Sequence, residues 1–222
     1  GDPEATGNGF FSMAAIKQAY LTYAASGKVK FTAGKFATHV GYELLDPQLN
    51  RNYSMDYMFS YGPFSHTGFK MDVTATDNVG FMVGISNPTD MAFADFSKKF
   101  YLAQFHAGSP NGKVTGYLNY VGGKDNSDVT SNQFDLVLTG TVTDKFSIGY
   151  NGTVKSVKYM GSTNSWWGSA IYLNADPSQT LGITLRGEYF DDKDGAAGFG
   201  TSFFDATLSF DIRIDNLTII PE

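Results

Sequence analysis

The only imidazoles in this 222-residue chain are His39, His66 and His106, and cysteine is absent. A zinc-type site needs several nitrogen or thiolate ligands converging on one ion at close spacing. These histidines are separated by loops, so no metal is expected. Ser65 stands directly before His66 and invites a nucleophile-and-base reading. Neighbours in an extended segment point to opposite sides, however, and a serine needs its base within hydrogen-bond reach. No catalytic residue and no cofactor is therefore assigned. What remains is charge. Lys70, Asp72, Asp135, Arg186, Glu188, Asp205, Asp211 and Arg213 lie within segments of alternating apolar and polar residues, each on the polar side. Glu43, Asp46, Arg51 and Asp56 fall together in one long connection. Groups placed like this suit a wetted wall, where rings of charge decide which ions pass.

The elements that carry these charges are strands. Val29, Phe31 and Ala33 alternate with Lys30, Thr32 and Gly34, and Phe69, Met71, Val73 and Ala75 alternate with Gly68, Lys70, Asp72 and Thr74. Each has one apolar and one polar face. The unit recurs along the chain: 16–24, 79–86, 101–107, 114–120, 134–139, 146–154, 167–175, 181–189, 204–214 and a last strand after Asp215-Asn216. Connections alternate between tight turns, such as Thr76-Asp77-Asn78 and Thr143-Asp144-Lys145, and longer polar loops at 87–98, 122–131, 156–164 and 191–201. Gly1 to Gly9 reads as the end of a loop. A strand length of about 9–11 residues is what a tilted strand needs to cross a bilayer.

Composition agrees. Aromatic residues make up 15% of the chain and charged residues only 17%, which suits aromatic-rich β-structure in one domain, residues 1–222. The formal net charge of -6 lacks the clustered Lys and Arg that a nucleic-acid partner demands. No run of about 18 apolar residues is present, so no transmembrane helix is expected. A soluble barrel or sandwich would show the same alternation with its apolar face inward. Three features favour lipid outside instead. The apolar face stays nearly free of charge between strand ends, as lipid requires. Tyr23, Phe36, Tyr120, Phe134, Phe146, Tyr189 and Phe204 gather near strand ends, where interfacial girdles sit. At least eleven consecutive antiparallel segments also exceed a lipocalin-type barrel. The expected fold is all-β, an antiparallel up-and-down transmembrane β-barrel.

Ala33 to Gly68, AGKFATHVGYELLDPQLNRNYSMDYMFSYGPFSHTG, carries a Gly-Lys-Phe, Gly-Tyr-Glu, Asn-Tyr-Ser, Phe-Ser-Tyr and Pro-Phe-x-His-Thr-Gly succession. It resembles the signature of the OmpL-like "beta-barrel porin 2" family of Bacteroidetes, over about a sixth of the chain; the flanking strands agree in pattern rather than in motif. The resemblance implies a place in the bacterial outer membrane, a water-filled lumen and passive transport of small hydrophilic solutes. Other members are longer, the start GDPEATGNGFF does not look like a leader, and the last residues are Pro221-Glu222 rather than a terminal aromatic strand. The expectation is a section of a larger barrel, incomplete at both ends.

The connection 37–65 stands apart. A segment of this length without regular structure is rare in a compact domain and is usually functional. Folded into the lumen, it would place Glu43, Asp46, Arg51 and Asp56 at a constriction, with Tyr42, Tyr53, Tyr57 and Phe59 packing it to the wall; folded outward, it would be an extracellular cap. The strand carboxylates read as solvated lumen wall, countered by Lys30, Lys70, Arg186 and Arg213. The expected partners are outer-membrane lipid and small hydrophilic solutes, with other envelope proteins or a homo-oligomer as further candidates. Two alternatives stay open: a structural or docking barrel with a closed lumen, and an enzymatic barrel of lipase or protease type.

Overall fold

Alternation of side chains with a period of two leaves each strand with faces of opposite character, and it fixes which face meets which solvent along the whole sheet. In a computed structural model, which describes residues 16–94 and 98–222, twelve strands form one antiparallel sheet in chain order. They are β1 Ala19–Ala24, β2 Val29–Ala37, β3 Ser65–Thr76, β4 Val79–Ser86, β5 Phe100–Gly108 and β6 Val114–Lys124. The series continues with β7 Thr130–Thr143, β8 Phe146–Tyr159, β9 Ser162–Ser178, β10 Leu181–Asp191, β11 Ser202–Ile214 and β12 Leu217–Ile219. Every neighbouring pair is antiparallel, the pattern of an up-and-down wall. Among the described residues β1 and β12 pair on one side only and form the two edges. The loop expected at Gly1 to Gly9 lies outside the described residues, as does part of the expected loop 87–98.

Burial is inverted relative to a water-soluble protein. In β7, Phe134 is 53% exposed and its neighbour Asp135 is 1% exposed. Across the sheet, Phe81, Val83, Phe105, Leu118, Leu136, Ile171, Leu185 and Leu208 are exposed, whereas Asn119, Gln133, Asn151, Thr184, Arg186 and Glu188 are buried. An exposed apolar face of this extent is a surface made for lipid rather than water. Phe36 departs from the expected girdle. It pairs with His66 on the polar face of the sheet and is buried there. No helix among the described residues is long and apolar enough to cross a membrane.

Three sequence expectations need correction. The strands are not uniform: β7 and β8 have 14 residues and β9 has 17. The expected polar loop 156–164 is instead the tip of a long β8–β9 hairpin, with Val157 paired to Asn164 and Lys158 to Thr163. The turn is Met160-Gly161, both with positive φ. Polar side chains there signal water on both faces of a strand, not the end of the strand. Nor is the connection 38–64 without regular structure, since it contains a 3-10 turn at Pro47–Leu49 and one helical turn, α1, Tyr57–Ser60.

The outer face gives a direct prediction. Leu136→Arg, at mid-strand on the exposed side, should lower unfolding stability in bilayers by about 2–4 kcal/mol, read from a denaturant titration. An unchanged midpoint would show that this face does not meet lipid.

Candidate functional site: the connection docked on the polar face

A chain segment laid against a polar wall must find acceptors for its backbone N–H groups, because a buried orphan donor costs about 1–3 kcal/mol. The connection 38–64 finds them in wall side chains. Gly41 N donates to Asp135 Oδ1 at 3.0 Å and Tyr42 N to Asn151 Oδ1 at 3.2 Å. Tyr57 N and Met58 N donate to the two oxygens of Glu188 at 2.8 and 2.9 Å. Asp56, the N-cap of α1, accepts from Phe59 N at 2.6 Å. Together these two carboxylates satisfy the first-turn donors of α1, which an isolated turn leaves open.

A compact charge network lies beneath. Arg186 Nη1 donates to Glu43 Oε1 at 2.8 Å and to the Ser54 carbonyl at 2.7 Å, while Nη2 reaches Thr207 at 3.0 Å. Asp56 N donates to Glu43 Oε2, and the Tyr172 hydroxyl donates to Asp56 Oδ2 at 2.6 Å. Both partners of the Arg186–Glu43 pair have side chains only 2% exposed. Removing one member of such a pair leaves an uncompensated charge, at a cost of about 3–5 kcal/mol.

Packing completes the dock. The Tyr42 ring stacks on Tyr172 at 4.1 Å, and Met58 joins Trp166, Ala170, Tyr172 and Phe190 in a buried cluster. Two wall glycines serve as seats. A Cβ on Gly168 would meet Met58 Cγ at 2.4 Å, and one on Gly149 would meet the Tyr42 ring at 2.5 Å. A second connection, 192–201, braces α1 from above. The buried Asp192 carboxylate accepts from Ala197 N, Phe199 N and Gly200 N, while Phe199 and Phe203 pack on Tyr57 and Tyr61.

The sequence-derived charges divide accordingly. Asp135, Arg186 and Glu188, expected as solvated wall, are buried and bonded to the connection, because the connection replaces the water. Asp211 is also buried, and it pairs with Arg213. Lys70 and Lys30 pair with Asp72, and Asp205 lies 3.7 Å from Arg186. On the connection, Glu43 and Asp56 are buried, Asp46 pairs with Lys17, and Arg51 pairs with Asp176. Ser65 and His66 part company: Ser65 donates to Asp90, and His66 bonds Thr38. The fold brings His39 and His66 together, with ring centroids 5.4 Å apart, which their separation in sequence did not suggest. No group of three metal-ligating side chains occurs among the described residues. The glycine seats and the Glu188 cap were not foreseen. Glycine inside a strand often marks a close backbone approach, and that was the available signal for Gly149 and Gly168.

Antiparallel up-and-down strands that expose apolar side chains on one face and hold a connection on the polar other are the wall of a transmembrane β-barrel of the porin class. The chain belongs to the family described as putative beta-barrel porin-2, OmpL-like, whose profile matches residues 3–222. A search of curated proteins returned no match.

Two predictions follow from the docking geometry. Burial, then the Asp56 charge, push the Glu43 carboxyl up from 4.5 to about 7 against the pull of Arg186; burial also raises Asp56. An acid whose pKa is raised in the docked state stabilises docking below its ordinary pKa, and that contribution is lost as pH rises through the raised value. Protease cleavage within 38–64 should therefore be slowest below about pH 4.5, quicken as the pH rises from there toward 7, and level off above that; a flat profile would contradict this. Gly168→Leu should displace Met58 and raise cleavage of the same segment, while Gly27→Leu in the β1–β2 turn, where a side chain has open space, should not.

Proposed function

We propose that the protein is a diffusion porin of the outer membrane, passing small hydrophilic solutes through a lumen that the connection 38–64 narrows. The observation that carries this reading is the docking of that connection on the polar face by hydrogen bonds to wall strands β7, β8, β10 and β11. A segment anchored from so many strands occupies cross-section that would otherwise be open. Two cavities remain beside it, of 320 and 410 Å³, both bordered by Tyr42, Glu43, Leu44 and Thr139. Transport of this kind needs neither cofactor nor covalent chemistry.

A second reading has its own support. Toward the loop end of the wall the space is filled by Phe36, Val40, Met82, Phe100, Leu102 and Val121, and next to them by the Met58–Trp166–Phe190 cluster. Packing of that kind suits a barrel with a closed lumen that docks other envelope proteins.

Single-channel recording in planar bilayers separates the two. The diffusion porin should give stepwise currents, and replacing residues 44–55 with a short Gly-Ser linker should enlarge the steps several-fold. Equal steps in both would remove the connection from the constriction. Protein that inserts without any steps would favour the closed docking barrel.

A further inference from the structure

The two cavities beside the connection differ from the charged constriction that the sequence suggested. The first is bordered by Asn50, Asn52, Thr139, Thr141, Ser147 and Asn174. The second is bordered by Thr38, His39, Gln104, Tyr117, Asn119 and Thr139. Hydroxyls, carboxamides and tyrosine rings stand there beside aliphatic side chains, Leu44, Leu49 and Ile148 in the first and Val40, Leu44 and Val137 in the second. Glu43 and Arg51 are the charged residues on these borders, and each is already engaged. Glu43 gives one oxygen to Arg186 and Tyr172 and the other to Asp56 N. Arg51 is paired with Asp176, which Arg213 also holds at 3.0 Å.

We infer that this space is a passage selective for uncharged, hydroxyl-rich solutes of the sugar and polyol class, and that it discriminates against ions of similar size. The inference rests on the diffusion reading above and adds the substrate class. A solute hydroxyl that leaves water can exchange its hydrogen bonds for those of Thr, Ser, Asn and Gln side chains. A solute charge cannot do the same. It must shed water where the two charged groups on the borders, Glu43 and Arg51, are already paired, and burying an unpaired charge is costly. His39 supplies no countercharge, since burial pulls its pKa down to about 4 and leaves it neutral at physiological pH. Tyr42 and Tyr117 add aromatic surface to the border of the second cavity, as in small-ligand sites that combine aromatic walls with a few polar groups. The volumes, 320 and 410 Å³, lie in the range of about 300–1,000 Å³ usual for such sites.

The test is osmotic swelling of proteoliposomes holding the full chain, in matched solutions of glucose, sorbitol, gluconate or glucosamine. Glucose and sorbitol should enter at least roughly tenfold faster than either charged analogue, the ratio that about 1.4 kcal/mol of desolvation produces. Entry of gluconate or glucosamine at the rate of glucose would overturn the inference while leaving the diffusion porin standing. Swelling in none of the four would overturn both. Thr139→Asp, which sets one unpaired carboxylate on the border shared by the cavities, should raise glucosamine entry several-fold and lower gluconate entry. Unchanged ratios in a variant that still swells with glucose would show that solutes do not pass there.

Discussion

Buried backbone donors of residues 41–59 are satisfied by side-chain oxygens, those of Gly41, Tyr42, Tyr57 and Met58 by the wall and those of Asp56 and Phe59 by carboxylates of the connection, and the rest of the architecture depends on this. Asp135, Asn151 and Glu188 face inward from three different strands, and each accepts from the connection, Asp135 while also accepting from Asn119, Asn151 and Thr153 of its neighbouring strands. In water such carboxylates would stay solvated. Here the connection takes the place of solvent, so their burial is tolerable only while it remains docked. The dependence is mutual, because α1 is too short to be stable alone and is held by Glu188 and Asp56 at its start. Wall and insert therefore form one polar core, inside a shell whose apolar side chains point outward.

That inversion explains how two kinds of packing coexist in one sheet. On the outer side, Leu118, Leu136 and Ile171 stay exposed among the described residues. On the inner side, Trp166, Tyr172 and Phe190 are fully buried beneath Met58 and Tyr42. The same strand β9 presents Ile171 to one environment and Tyr172 to the other, and a slip of one residue would exchange them. At the loop end of the wall, Phe199 of the 192–201 connection and Phe203 of β11 hold α1 in place through Tyr57.

Strand identity and face were legible in the sequence because a period of two leaves a local trace: Phe204, Leu208 and Phe210 against Asp205, Ser209 and Asp211 can be read without any partner. The connection was legible as an anomaly of length and aromatic content and as the carrier of a family resemblance, with inward and outward placement both open. Its docking pairs Glu43 with Arg186 and Gly41 with Asp135, residues far apart in the chain, and no local pattern encodes such a match. Charge was visible as well, but its state was not. Asp135 and Arg186 look like wetted wall when only their own strands are considered, and become buried partners once the insert lies on them. The hairpin tip 156–164 failed for a related reason, since polarity reports contact with water and says nothing about hydrogen-bonded pairing.

Amide hydrogen exchange, read residue by residue on the inserted protein, tests the docking most directly. Gly41, Tyr42, Asp56, Tyr57, Met58 and Phe59 should exchange as slowly as strand amides, because each donates to a fixed carboxylate or carboxamide oxygen. Exchange of these six at the rate of an open surface loop would contradict the account, for it would mean that the connection does not rest on the polar face.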